Sequence, residues 1–67
     1  MAIASIKAQI EDEWDCVLQK GNTLFIRNNQ ETFYTVLKLG EKFIVTDCRK
    51  CKMYIVMTID DVINLIQ

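Results

Sequence analysis

The sequence contains one string whose residue types and spacing suit metal or redox chemistry, Cys48-Arg49-Lys50-Cys51. A structural zinc site needs four ligands, and the chain offers this pair, a distant Cys16 and no histidine. Zinc would therefore require the matching cysteine pair of a second copy. A redox pair normally lies at the N-terminus of a helix, whereas this string connects two predicted strands. We predict structural thiols with no metal and no cofactor. The alternatives are zinc shared between two copies, a redox role, and a disulfide between Cys48 and Cys51 across the hairpin.

The composition gives enzyme catalysis little support. No histidine is present, so the commonest general base near neutral pH is missing, and Ser5 is the only serine. The two glycines do not form a phosphate-binding loop. Acidic residues cluster at 11–15 and at Asp60 and Asp61, where solvation of a helix end explains them better than acid–base catalysis. We predict that the protein is not an enzyme and has no catalytic residues.

Positive charge is concentrated in the central part of the chain. Residues 20–52 contain seven Lys or Arg and three Asp or Glu, a net charge of +4, whereas the whole chain has a net charge of −1. Arg49, Lys50 and Lys52 lie on one predicted hairpin tip, and Tyr54 follows as an aromatic contact surface. We predict that these four residues bind a protein partner. A tip that serves only to keep the hairpin soluble is the simpler alternative.

Nucleic-acid binding is the second functional hypothesis. Cations attract phosphates, and an aromatic side chain can stack on a base. The basic residues predicted to bind nucleic acid are Arg27, Arg49, Lys50 and Lys52. Lysines on strand edges also prevent edge-to-edge aggregation, and a net charge of −1 is unlike the basic surface of most nucleic-acid-binding domains. A protein partner is therefore favoured over nucleic acid.

The elements that must position these residues follow from hydrophobic periodicity. Three- and four-residue spacings along one apolar face, formed by Ile3, Ile6, Ile10 and Trp14, predict an N-terminal helix that ends near the acidic cluster. A second helix of about ten residues is predicted near the C-terminal end, where Thr58 can cap it and acidic side chains occupy its first turn.

Between the helices the period changes to two, which is typical of strands. Strands are predicted at 16–20, 23–28, 31–39, 42–48 and 51–57. Gly and Asn between the first four strands tolerate the positive φ of tight hairpin turns, whereas Arg49 and Lys50 make a poorer turn pair. The predicted fold class is α+β, with an N-terminal helix, an antiparallel β-meander of four to five strands and a short C-terminal helix in one small domain, 1–67.

The last hairpin is predicted from its register. If Arg49 and Lys50 form the turn, Asp47 faces Lys52, and apolar pairs follow along both strands. Alternation then places an apolar set on each face of the sheet. The first face carries Phe33, Leu37, Leu39, Ile44, Met53, Ile55 and Met57. The second face carries Tyr34, Val36, Phe43, Val45, Tyr54 and Val56.

Both faces of the predicted sheet are thus apolar, although an antiparallel sheet with one solvated face should alternate apolar and polar residues. Two helices on the same face would leave an exposed apolar patch, and such patches usually mark an interface. One helix on each face, or a sheet curled into a partial barrel, would satisfy the monomer. We predict a non-catalytic protein-interaction module that forms a homodimer through an apolar sheet face or a sheet edge. Such a module would act as a small regulator or inhibitor by occupying a partner surface.

The same composition bears on cellular location. The longest apolar run, residues 53–57, is too short for a membrane-spanning helix. The first residues show no basic stretch ahead of the apolar ones, unlike a signal peptide. Three cysteines, an odd number, fit reduced thiols better than a disulfide framework. We expect a cytoplasmic protein without a membrane partner.

Overall fold

The computed structural model describes residues 2–66, which form two helices and a five-stranded sheet. The helices are α1 (Ala2–Ile10) and α2 (Ile59–Ile66). The strands are β1 (Cys16–Lys20), β2 (Thr23–Asn28), β3 (Glu31–Leu39), β4 (Lys42–Asp47) and β5 (Lys52–Val56). Each strand pairs with the next in an antiparallel direction, so the sheet order is β1-β2-β3-β4-β5. The predicted α+β meander between two helices is confirmed.

The tight turns have the backbone geometry that their residues favour. Gly21 and Gly40 adopt φ of 57° and 62° at the first turn position, as a type II′ hairpin turn requires. Asn29 and Gln30 both have positive φ, 51° and 65°, which is the pattern of a type I′ turn. Because these turns are short, they fix which residues face each other across each strand pair. The first three strands accordingly have the bounds that the sequence predicted.

The last hairpin has the predicted register and a longer turn. Asp47 is the partner of Lys52, as predicted, but β4 ends at Asp47 and β5 begins at Lys52. The predicted strand ends at residues 48 and 51 are therefore wrong, because residues 48–51 all belong to the turn. The predicted end at residue 57 is also one residue too far, since β5 ends at Val56. The Asp47 carboxylate binds the backbone inside this turn, and Cys51 adopts a φ of 56°, outside the strand region.

Both helices begin and end close to the predicted positions. α1 buries Ile3, Ile6 and Ile10 and ends at Ile10, so Trp14 lies in the connection to β1 and still packs against the core. α2 covers eight residues and is capped as predicted, since the Thr58 hydroxyl oxygen accepts the backbone N–H of Asp61 at 3.1 Å.

The two helices pack on the same face of the sheet. α1 contacts β1, β2 and α2, and α2 contacts β4. All the buried apolar strand residues belong to this face: Val17, Leu24, Ile26, Val36, Phe43 and Val45. The arrangement is two layers, helices on one side and sheet on the other. The opposite face of the sheet has no cover from residues 2–66.

A β-bulge interrupts β3 and corrects one predicted position. Ile26 pairs with Tyr34 whereas Arg27 pairs with Thr32, so Phe33 is an extra residue on β3. Strict alternation predicted Phe33 on the face of Ile44, away from Tyr34. Both rings instead contact Trp14, with centroids 5.5 and 5.8 Å away. The alternation breaks at the bulge, and Phe33 packs on Trp14.

Candidate functional site

The β4–β5 turn is built on a buried carboxylate. Asp47 is 8% exposed, and its Oδ1 accepts the backbone N–H groups of Arg49 at 3.1 Å and Lys50 at 3.0 Å. An aspartate that binds the backbone two and three residues ahead stabilises a turn that lacks glycine. The two basic side chains therefore project from a backbone that is held in place.

Aromatic rings support the same turn from β3 and from the α1–β1 connection. The guanidinium carbon of Arg49 lies 4.4 Å from the centroid of the Phe33 ring, which is a cation–π contact. Trp14 meets Phe33 and Tyr34 edge to face. The Cys48 N–H donates to the Phe33 carbonyl at 2.9 Å and continues the β3–β4 ladder.

These aromatic residues were not predicted as part of the site. A signal was nevertheless present in the register, because the turn at Gly40 and Glu41 places Phe33 opposite Cys48, next to Arg49. The bulge then decides which way the Phe33 ring points.

The side chains at this end of the sheet border a shallow depression, lined by Phe33, Tyr34, Asp47, Arg49 and Lys50. Burial raises the pKa of the Tyr34 hydroxyl, the Asp47 carboxylate raises it further, and the Arg49 guanidinium opposes both. Tyr34 therefore stays neutral at physiological pH. The depression combines a neutral phenol with two cations, and its one carboxylate, Asp47, is buried and binds backbone N–H groups, so the lining suits an anionic group of a partner.

The four predicted partner-binding residues lie on one hairpin. Arg49 and Lys50 are exposed in the turn, and Lys52 and Tyr54 are exposed on β5. Lys52 pairs with the buried Asp47, and Tyr54 is two residues further along, so both point to the side of the sheet that carries the helices.

Arg27 is not part of this group. It lies on β2 and pairs with Cys16 and Thr32, so β3 and β4 separate it from Lys52. Alternation places it on the face opposite the buried Ile26. Its Nη2 donates to the Gln30 carbonyl at 3.0 Å, and its buried Nε has no hydrogen-bond partner among residues 2–66. The four cations of the nucleic-acid hypothesis do not form one continuous surface.

The cysteines lie in two places. Cys48 and Cys51 are exposed at the ends of the turn, and Cys16 is half-buried on β1, at the other edge of the sheet. All three are free thiols. Residues 2–66 bring together no group of three or more side chains that could hold a metal ion. A metal at the turn would need further ligands from another chain.

The sheet face opposite the helices, here called the open face, is a second candidate surface. Its apolar side chains are Leu18, Phe25, Leu37, Leu39, Ile44, Met53 and Ile55, with Met57 just after β5. Three of the most exposed are on or just after β5, with exposed fractions of 65% for Met53, 63% for Ile55 and 56% for Met57. Leu39, at the β3 end of the β3–β4 turn, is 60% exposed.

Strand β5 is also an edge of the sheet. No strand among residues 2–66 pairs with its outer side. Met53 and Ile55 are exposed on the open face, and Tyr54 is exposed on the other side of the same strand. The apolar run 53–57, which we call the β5 edge, therefore combines free backbone groups with uncovered side chains.

Within residues 2–66, neither helix has the length and apolar character to cross a membrane. A comparison of the chain with protein-family models, with curated proteins and with solved structures finds no significant match to any of them, so the two surfaces must be interpreted from their own geometry.

Proposed function

We propose that this protein is a non-catalytic protein-interaction module that self-associates through its uncovered apolar surface. The module would act as a small regulator or inhibitor, occupying the surface of a partner with its basic hairpin. The observation that carries this proposal is the placement of both helices on one face, which leaves the apolar side chains near β5 in solvent.

Much of the apolar surface near β5 stays in contact with solvent in the monomer. Met53, Ile55 and Met57 are each more than half exposed. Full burial of one such side chain contributes about 1.5–3 kcal/mol, so an interface over these residues has a substantial apolar driving force. Soluble proteins rarely keep a contiguous apolar patch without using it for binding.

The hairpin supplies the partner contacts in this proposal. Arg49, Lys50 and Lys52 add three positive charges to one hairpin, and the Asp47 carboxylate beside them is buried beneath the backbone. Arginine and tyrosine are enriched among residues that dominate binding energies, which supports a role for Arg49 and Tyr54. The expected partner surface is acidic.

Two further features support the proposal. The exposed thiols of Cys48 and Cys51 suit a reducing compartment, which supports a cytoplasmic location. The residues around the depression include no histidine or serine to serve as base or nucleophile, which supports a non-catalytic role.

Self-association is tested by sedimentation equilibrium over the micromolar range. The monomer has a mass of 7.8 kDa, and we expect a reversible, concentration-dependent shift towards twice that mass. A single species of 7.8 kDa at every concentration would refute self-association.

Nucleic-acid binding is the second candidate, favoured by the depression in which Arg49 and Lys50 lie beside Phe33 and Tyr34. Proteins that bind single-stranded nucleic acid combine cations with aromatic rings on which bases stack. A gel-shift assay with single- and double-stranded probes tests it, starting at about 50 mM salt because phosphate contacts weaken steeply as salt rises. No retarded band at the lowest salt concentration would remove this candidate.

A further inference from the structure

We propose that two copies of this chain join their sheets along β5, in antiparallel pairing, with Ile55 of both copies at the two-fold axis. This inference rests on the proposed self-association. It specifies the surface, the direction of the strands and their register.

The β5 edge lacks the features that normally prevent strands from pairing. The run 53–57 has no charge, proline or bulge between its ends. The other edge strand, β1, carries Gln19 and Lys20, and α1 packs against it. The C-terminal helix packs on β4, and only Val56 of β5 packs against the core, while residues 52–55 are exposed. A second strand would therefore find free hydrogen-bonding groups and apolar side chains at β5.

The symmetry of a dimer restricts the register. A two-fold axis normal to the sheet keeps the open faces of both copies on the same side, so each residue must pair with one of its own face. Such an axis passes through a residue rather than between two, and Tyr54 and Ile55 are the central candidates. With Ile55 at the axis, the cross-strand pairs within β5 are Ile55–Ile55 and Tyr54–Val56, and Met53 and Lys52 lie beside Met57 and Thr58, which connect β5 to α2.

Within β5, this register matches apolar residues with apolar residues. With Tyr54 at the axis, Lys52 would lie opposite Val56 and Cys51 opposite Met57. A charged or polar side chain would then face an apolar one at both ends of the pairing. Matched apolar pairs stabilise a sheet better, so Ile55 is the favoured centre.

Charge complementarity also favours the antiparallel direction. Lys52 of one copy lies beside the β5–α2 connection of the other, where Thr58 caps α2, whose first turn contains Asp60 and Asp61. Lys52 points to the side of the sheet that carries α2 because it pairs with the buried Asp47. The basic end of each β5 therefore meets the acidic start of the other copy's α2. A parallel arrangement would instead place Lys52 beside Lys52.

A pair of matched variants distinguishes this edge pairing from contact between two open faces. Ile55→Lys and Leu39→Lys both replace an open-face side chain that is about 60% exposed, 63% and 60% respectively, so both should fold. Ile55→Lys should raise the dimer dissociation constant about tenfold or more, because two cations meet at the axis and two isoleucines lose their cover. Leu39→Lys should leave it within about twofold, because Leu39 lies on β3, two strands from the edge. Equal losses in both variants would overturn edge pairing.

Cysteine cross-linking tests the register. In a chain carrying Cys16→Ser, Cys48→Ser and Cys51→Ser, we would add Ile55→Cys or Tyr54→Cys and oxidise with glutathione disulfide. Residues directly opposite each other in an antiparallel pair have Cα atoms about 4.5–5.5 Å apart, within the range of a disulfide. Ile55→Cys should form a covalent dimer and Tyr54→Cys should not. The reverse result would overturn the register.

The outcomes separate this inference from the function on which it rests. Sedimentation that shows only a monomer of the unaltered protein removes self-association and edge pairing together. A dimer that resists Ile55→Lys, or that loses affinity equally with Leu39→Lys, leaves self-association standing and removes pairing through β5.

Discussion

Replacing Asp47 with alanine should loosen the β4–β5 turn and destabilise the fold. The Oδ1 atom of Asp47 accepts two backbone N–H groups, from Arg49 at 3.1 Å and from Lys50 at 3.0 Å. Loss of a buried hydrogen-bond partner costs about 1–3 kcal/mol. Arg49 and Lys50 are exposed, so water can replace part of what is lost. We therefore expect the free energy of unfolding to fall by about 1–2 kcal/mol.

Urea denaturation followed by the fluorescence of Trp14, the only tryptophan, measures this change close to the turn. For a chain of this size the corresponding fall in Tm is roughly 5–15 °C. Asp47→Asn is the matched control, because its amide oxygen can accept the same N–H groups, and it should lose less than half as much stability. Unchanged stability in Asp47→Ala would show that the carboxylate does not hold the turn. An equal loss in Asp47→Asn would assign the effect to charge instead.

Three other predictions concern the Tyr34 hydroxyl, the cap of α2 and the basic turn. Folding raises the pKa of the Tyr34 hydroxyl. The stability that this neutral hydroxyl contributes is therefore complete below about pH 10 and is lost as the pH rises through the pKa of Tyr34 in the folded state. Urea denaturation at a series of pH values from neutral to alkaline should show that the free energy of unfolding falls more steeply with pH in the unaltered protein than in Tyr34→Phe. Parallel curves for the two proteins would contradict the buried environment assigned to Tyr34. Thr58→Ala should lower stability by about 1 kcal/mol, since it removes the acceptor of the Asp61 N–H, and Thr58→Ser should recover most of that in thermal unfolding. The double variant Arg49→Glu, Lys50→Glu should abolish partner binding measured by calorimetry. Its free energy of unfolding should fall by less than about 1 kcal/mol, which is the value of the lost cation–π contact. Unchanged affinity would show that the tip only keeps the hairpin soluble.

The strands and their pairing could be predicted from the sequence because both depend on local chemistry. Gly21 and Gly40 stand where short turns need positive φ, and the period of two between the turns selects strands. The pairing of Asp47 with Lys52 was predicted correctly because the turn at residues 48–51 has the same centre as the predicted two-residue turn, so the register is the same. The hairpin that carries the predicted binding residues was therefore placed from sequence alone.

The length of the last turn could not be predicted in this way. The sequence pointed to Arg49 and Lys50 as a two-residue turn, whereas residues 48–51 all leave the strands. The difference arises from the side chain of Asp47, which binds the turn backbone from a buried position. Such a contact depends on what covers the carboxylate, and the pattern of apolar and polar residues carries no signal for it.

The sequence by itself determined the elements, their order, the register of the last two strand pairs and the presence of two apolar sheet faces. Only the tertiary structure decided which face the helices cover, because two apolar faces offer equivalent partners to an amphipathic helix. It also decided the bulge at Phe33, which brings that ring to Trp14 and beneath Arg49, and the separation of Arg27 from the other cations. Each of these depends on contacts between residues far apart in the chain, whereas periodicity and turn chemistry report only on neighbours.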